Sequence, residues 1–155
     1  MPTYSGRAWV HDLPEKLAAA SHAGYTGVEI FWEDLVYAAR QFVSDKEAND
    51  LTSLAKNERA MLQASHYARD LCDQNHLKII VLQPFMNYEG QLDDEKHRQS
   101  IAQLKLFFKV VKVLGTDLIQ VSTQVGCRSH ILPTWLSCST PGSLLQKVQP
   151  AMSAR

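Results

Sequence analysis

Three acidic side chains, Glu29, Glu33 and Asp34, fall within the eleven residues of GYTGVEIFWED at 24–34. Glu29 stands inside a run that otherwise reads as a buried strand, where an ionised carboxylate is costly unless it is paired or faces a polar pocket. Two readings stay open for it: a pocket-facing carboxylate, or a structural acid bonded to a neighbouring backbone group or arginine. Glu33 and Asp34 suit the first turn of a helix, where the macrodipole favours negative charge. Two further runs, KIIVLQPF and TDLIQVST, end in the same polar way. Gln83 and Phe85 close the first, while Gln120, Ser122, Thr123 and Gln124 lie in or just after the second. A polar residue at the end of each strand is what a site for a hydroxylated small molecule needs, although a satisfied core amide serves Gln83 and Gln120 equally well.

Other chemistries find little support. The six histidines are scattered and show neither H-x-x-x-H nor H-E-x-x-H spacing, so no metal site is expected within this chain alone. G-x-G-x-x-G, P-loop and G-x-S-x-G patterns are also missing, which sets aside nucleotide cradles and hydrolase elbows. Cys72, Cys127 and Cys138 are odd in number and contain no C-x-x-C pair, so they read as reduced thiols, with Cys72 a helix core residue.

The elements that would carry these residues follow from spacing. In HDLPEKLAAASHAGY, Asp12 is an N-cap with Pro14 in the first turn and Glu15 three residues on, and Leu17 and Ala20 share a face with Leu13. Gly24 stops that helix, and a strand over residues 26–31 follows. Between residues 46 and 74, Leu51, Leu54, Met61, Ala64, Ala68 and Leu71 recur three, four or seven apart. They predict an amphipathic helix with a break near Lys56.

A β-branched run predicts a strand over 78–83, ended by Pro84. NYEGQLDD reads as a turn into the next helix, which places Ile101, Leu104, Phe108, Val111 and Leu114 on one stripe before Gly115 closes it. TDLIQVST begins a third strand. Strands alternating with helices predict an α/β fold with parallel pairing through right-handed crossovers.

After Asp117 the sequence changes character. All sixteen acidic residues precede Leu118, and three of the six prolines fall beyond it with no helical period. The division expected is a domain over 1–121 followed by an atypical, poorly ordered tail over 122–155.

Taken together, GYTGVEIFWEDL, IIVLQPFMNYEG and KVLGTDLIQV resemble the sugar phosphate isomerase/epimerase superfamily of xylose isomerase-like barrels, and most resemble its fungal 3-dehydroshikimate dehydratases. The likeness covers roughly residues 6–121 and implies a partial (β/α)₈ TIM barrel, about its first four βα units, followed by an irregular C-terminal tail. It also implies a divalent metal such as Mg²⁺ or Mn²⁺ in the parent family. The implied reaction is loss of water from 3-dehydroshikimate to give protocatechuate, in quinate and shikimate catabolism.

Such enzymes take their metal ligands from later strands, so this chain alone is expected to bind no metal and to be inactive. Glu29, Gln83, Phe85 and Gln120 carry over as substrate-binding wall positions, with no metal ligand and no catalytic base among them. MPTYS and VSTQVGCRSHILPTWLSCSTPGS depart from the family pattern at the two ends, which suggests a shortened or altered reading frame.

The alternatives are a sugar phosphate isomerase or epimerase, and a non-catalytic half-barrel that associates with itself through its open face. The substrate expected is a hydroxylated acid or sugar. Sixteen Lys plus Arg balance sixteen Asp plus Glu, and 45% hydrophobic with 21% charged is globular composition, so neither nucleic acid nor membrane is an expected partner. The start shows no secretory pattern and no apolar run reaches the ~18 residues of a membrane span, so a cytoplasmic location is the expectation.

Overall fold

The computed structural model describes residues 7–86 and 93–122, all within one compact unit, Met1–Gln124. Helix α1 spans Leu13–His22, capped by Asp12, whose Oδ1 accepts the Glu15 N–H at 2.9 Å. Its buried side is Leu13, Lys16, Leu17 and Ala20. Strand β1, Gly27–Phe31, follows and runs without a loop into α2, Trp32–Ala39.

A 3₁₀ turn at Arg40–Phe42 and two short helices, α3 at Asp45–Ala48 and α4 at Leu51–Leu54, lead to the long α5, Glu58–Gln74. Strand β2 is Lys78–Met86, α6 is Asp94–Leu114 and β3 is Ile119–Ser122. The three strands form one parallel sheet in the order β1-β2-β3. This is the parallel α/β arrangement that the alternating pattern predicts, and it agrees with the partial barrel that the resemblance implies.

Three expectations need correction. Strand β2 does not stop at Pro84 but continues to Met86, because the ladder to β3 shifts register between Leu82 and Phe85. The residue that lacks an N–H therefore sits in an irregularity and removes no ladder bond.

The helix expected over 46–74 is three helices. Ser44, Asp50 and Asn57 each cap a new start, so the chain breaks near Asn49 as well as near Lys56. Local side-chain bonds to backbone compete with helix continuation at such residues.

On α6, Phe107 is buried and Phe108 is half-exposed at 52%. The buried face is Leu106, Phe107, Val110, Val111 and Leu114, rotated from the stripe that begins at Ile101, because the middle of the helix faces both β2 and α5. The turn expected over NYEGQLDD, for residues 87–92, and the tail from residue 123 onward lie outside the described residues.

The core lies between the sheet and its helices. Val28 and Ile30 of β1, Leu82 and Phe85 of β2, Met61, Ala64 and Ala68 of α5, and Phe107 and Val110 of α6 form one buried cluster. Small residues on α5 let that helix approach α2 and α6 closely. Cys72 belongs to the same cluster, and burial, with the Asp73 carboxylate next to it, pushes its thiol up to about 12. Among the described residues no helix is long and apolar enough to cross a membrane.

Helix α6 ends at Gly115, in the left-handed region at φ +76°. A Cβ there would also stand 2.4 Å from Arg69 Nη1, which donates to the Val113 carbonyl at 3.2 Å. Gly115→Ala is therefore expected to cost about 1–2 kcal/mol in urea unfolding, chiefly through backbone strain. A second expectation concerns Cys72. With the folded chain at pH 8, an aromatic disulfide reagent should leave this thiol unmodified, and mass spectrometry should find it labelled only after guanidinium is added.

Candidate functional site

Successive side chains of a strand point to opposite faces, so the burial pattern of β1 sorts its residues. Val28 and Ile30 are buried on the helix side, which leaves Gly27, Glu29 and Phe31 on the other face, all half-buried. Gln83 is the parallel partner of Phe31 and stands on that same second face. Its Nε2 donates to Glu29 Oε2 across the two strands. Gln83 is 7% exposed, so the amide that holds the carboxylate is itself fixed by its surroundings. The two residues lie 54 apart in the chain, and parallel register alone brings them together.

The other two positions fall differently. On β3, Ile119 pairs with Leu82 and Val121 with Phe85, so Gln120 alternates onto the face of Glu29 and Gln83, where it is exposed. Phe85 is on the helix side. Its ring meets Phe107 edge-on at 5.2 Å and 71°, and it is 3% exposed. Glu29, Gln83 and Gln120 thus share one face, while Phe85 supports that face from behind. Ser122 is the last described residue of β3; Thr123 and Gln124 lie beyond the described residues.

Helix α2 begins at the carboxyl end of β1 with Glu33 and Asp34 in its first turn, where the sequence places them. Asp34 does more than complement the helix dipole. Lys16 Nζ of α1 donates to its Oδ1 at 2.6 Å, and the two side chains are only 6% and 11% exposed. Burial pushes the Asp34 carboxyl above its ordinary value, and the hydrogen bond and charge of Lys16 only partly offset that push. Sequence reasoning did not single out Lys16. The available signal was its position one turn from Leu13 and from Ala20, on the apolar stripe of α1, where a lysine needs a buried partner.

Trp32 is the second contributor missed. It stacks on Phe107 with centroids 3.9 Å apart at 16°, so Phe31 and Trp32, consecutive residues, turn to opposite sides of the strand end. The described residues gather no group of three His, Cys, Asp or Glu side chains that could hold a metal ion. What the face offers is one carboxylate oriented by one amide, with an exposed amide on the neighbouring strand. Such an array can accept and donate hydrogen bonds to hydroxyl groups.

No model of a known protein family matches the sequence. Among characterised proteins, the chain is 32% identical over 111 residues to a 3-dehydroshikimate dehydratase of Neurospora crassa, a match that spans 72% of this chain and 30% of the relative. It is 30% identical over 113 residues to a 3-dehydroshikimate dehydratase of Pseudomonas putida, covering 73% of this chain and 14% of that protein. Among solved structures, a xylose isomerase-like TIM barrel/4-hydroxyphenylpyruvate dioxygenase fusion protein superposes with a TM-score of 0.50 at 29% identity, over 74% of this chain and 15% of the fusion. The chain spans less than a third of the length of each of these relatives.

Breaking the Lys16–Asp34 pair should test how far the site depends on it. Lys16→Met leaves a buried carboxylate without its cation and is expected to lose about 3–5 kcal/mol in urea unfolding, whereas Lys16→Met with Asp34→Leu should recover most of that loss. Because the folded-state pKa of Asp34 lies above its ordinary 3.8, the folded chain holds that proton more tightly than the unfolded chain. Its contribution to stability is fully present below pH 3.8 and declines as the pH rises through the folded-state value. The double variant should lack this component in a stability profile.

Proposed function

Starting from a partial xylose isomerase-like barrel similar to the 3-dehydroshikimate dehydratases, we propose that the face carrying Glu29 and Gln83 is the substrate wall of a dehydratase site for 3-dehydroshikimate or a close hydroxylated carbocyclic acid. The observation that carries this reading is the Gln83 to Glu29 hydrogen bond on the sheet face away from the helices. In parallel α/β folds ligands gather at the carboxyl ends of the strands, and Gln83 and Phe31 stand at those ends, with Glu29 two residues before.

Overall the reaction takes one carbocyclic acid to an aromatic diol acid and one water. A proton leaves the carbon beside the ketone, its electron pair forms a ring double bond as the adjacent hydroxyl departs with a proton as water, and the resulting cyclic dienone shifts one ring proton to the ketone oxygen to become the aromatic diol. Glu29 is assigned the binding of a substrate hydroxyl, not the removal of the carbon-bound proton. Gln83 occupies Oε2, which leaves Oε1 to accept from substrate, and the Gln83 amide keeps the carboxylate from rotating. Phe85 and Trp32 stiffen the strand ends through Phe107, so the carboxylate is held by packing as well as by its hydrogen bond.

A divalent metal would stabilise the enolate oxygen in the parent family. The described residues gather no set of side chains that would hold such an ion.

The reading is tested by titrating 3-dehydroshikimate into the purified chain and following backbone amide shifts by NMR. Shifts should cluster on β1 and β2 with millimolar affinity, and Glu29→Ala should weaken binding about tenfold while the melting temperature changes little. Shifts confined to the helices, or unchanged binding by Glu29→Ala, would overturn the assignment.

A further inference from the structure

A second concavity lies outside the sheet face, between the start of α1, helix α2, helix α3 and α5. It encloses about 580 Å³, a size suited to a small organic ligand. Three aromatic side chains line it, Trp9, Tyr37 and Tyr67, together with Asp34, Asp45 and Arg40. Trp9 is 57% exposed, an unusual state for the largest apolar side chain.

The wall is already a receiver of cations. The Arg40 guanidinium stands 5.8 Å over the Tyr37 ring and Arg7 stands 5.5 Å over Trp9. Both distances fall within the range at which a ring quadrupole attracts positive charge. Arg40 is also tied down, since its Nε donates to the Ala48 carbonyl at 3.1 Å.

The carboxylates point the same way. Asp34 is 9% exposed and stands at the cleft wall, where Lys16 already pairs with it. Asp45, in the first turn of α3, is exposed and has no hydrogen-bond or ion-pair partner among the described residues.

We propose that this cleft binds a small organic ammonium compound, its cationic head seated between the Trp9 and Tyr67 rings and paired with Asp45. The ligand competes with Arg7 for the face of Trp9. The aromatic lining offers surface for the hydrocarbon part of an organic cation. Neither Glu29 nor Gln83 lines this cleft.

Choline and its neutral isostere 3,3-dimethylbutan-1-ol are the probes, added to the full chain in an isothermal titration. Choline should bind saturably and the neutral isostere should not. Trp9→Ala and Asp45→Asn, both at exposed positions, should each weaken choline binding about three- to fivefold with unchanged far-ultraviolet circular dichroism. Equal binding of the two probes, no saturable heat from choline, or unchanged affinity in both variants would each overturn the proposal.

Discussion

Lys16 and Asp34 meet at 2.6 Å in a nearly dry setting, and the placement of the strand ends depends on that contact. One partner sits on the second turn of α1 and the other on the first turn of α2, immediately after β1. Because α2 follows β1 without a loop, fixing the start of α2 also fixes Phe31 and, two residues earlier, Glu29. The pair earns little net stability, since desolvation outweighs the help Asp34 gets from Lys16. Its value is geometric: each charge tolerates burial only beside the other, so α1 and the end of β1 have one acceptable relative position.

The aromatic contacts work at the same end of the sheet. Trp32 stacks on Phe107, and Phe85 meets the same ring edge-on. One side chain of α6 thus ties together the ends of β1 and β2. The Thr116 hydroxyl adds a second tie, donating to the Ile80 carbonyl at 2.6 Å just before β3 begins. These links come from residues far apart in the chain and hold Glu29 and Gln83 in register. An oriented carboxylate needs such rigidity, because a small displacement at a hydrogen-bonding site costs much of its effect.

The sheet divides the molecule's polar functions. On the face away from the helices, the Glu29 carboxylate is held by a neutral amide. On the helix side, the cleft bounded by Trp9, Tyr37 and Tyr67 collects carboxylates and already holds guanidinium groups over its rings. The first arrangement suits hydroxyl groups and the second suits a cation. A chain of zero formal charge can carry both only because the charges are sorted by position and not by composition.

Local signals in the sequence were sufficient for the alternation of helix and strand, though not for the breaks that separate α2, α3, α4 and α5. Asp12 caps α1, Gly115 ends α6, and the apolar runs around Ile30 and Leu82 are strands, as cap chemistry and periodicity require. The resemblance to dehydratase barrels was legible from motifs lying on those same strands. Sequence could also select Glu29, Gln83 and Gln120 as polar residues at strand ends. It could not say that Glu29 and Gln83 bond to each other, because parallel register is set by packing between strands 54 residues apart.

Phe85 illustrates the same limit. A register shift turns it to the helix side, and no spacing rule foresees a bulge at Pro84. Phe107 replaced Phe108 in the core because α6 packs on two neighbours, which a single helical stripe does not encode. Lys16 stands on the apolar stripe of α1, but only the fold supplies Asp34 as its partner. In each case the sequence determined what could form locally, and tertiary packing chose the partner, because partner choice depends on distances that no local pattern contains.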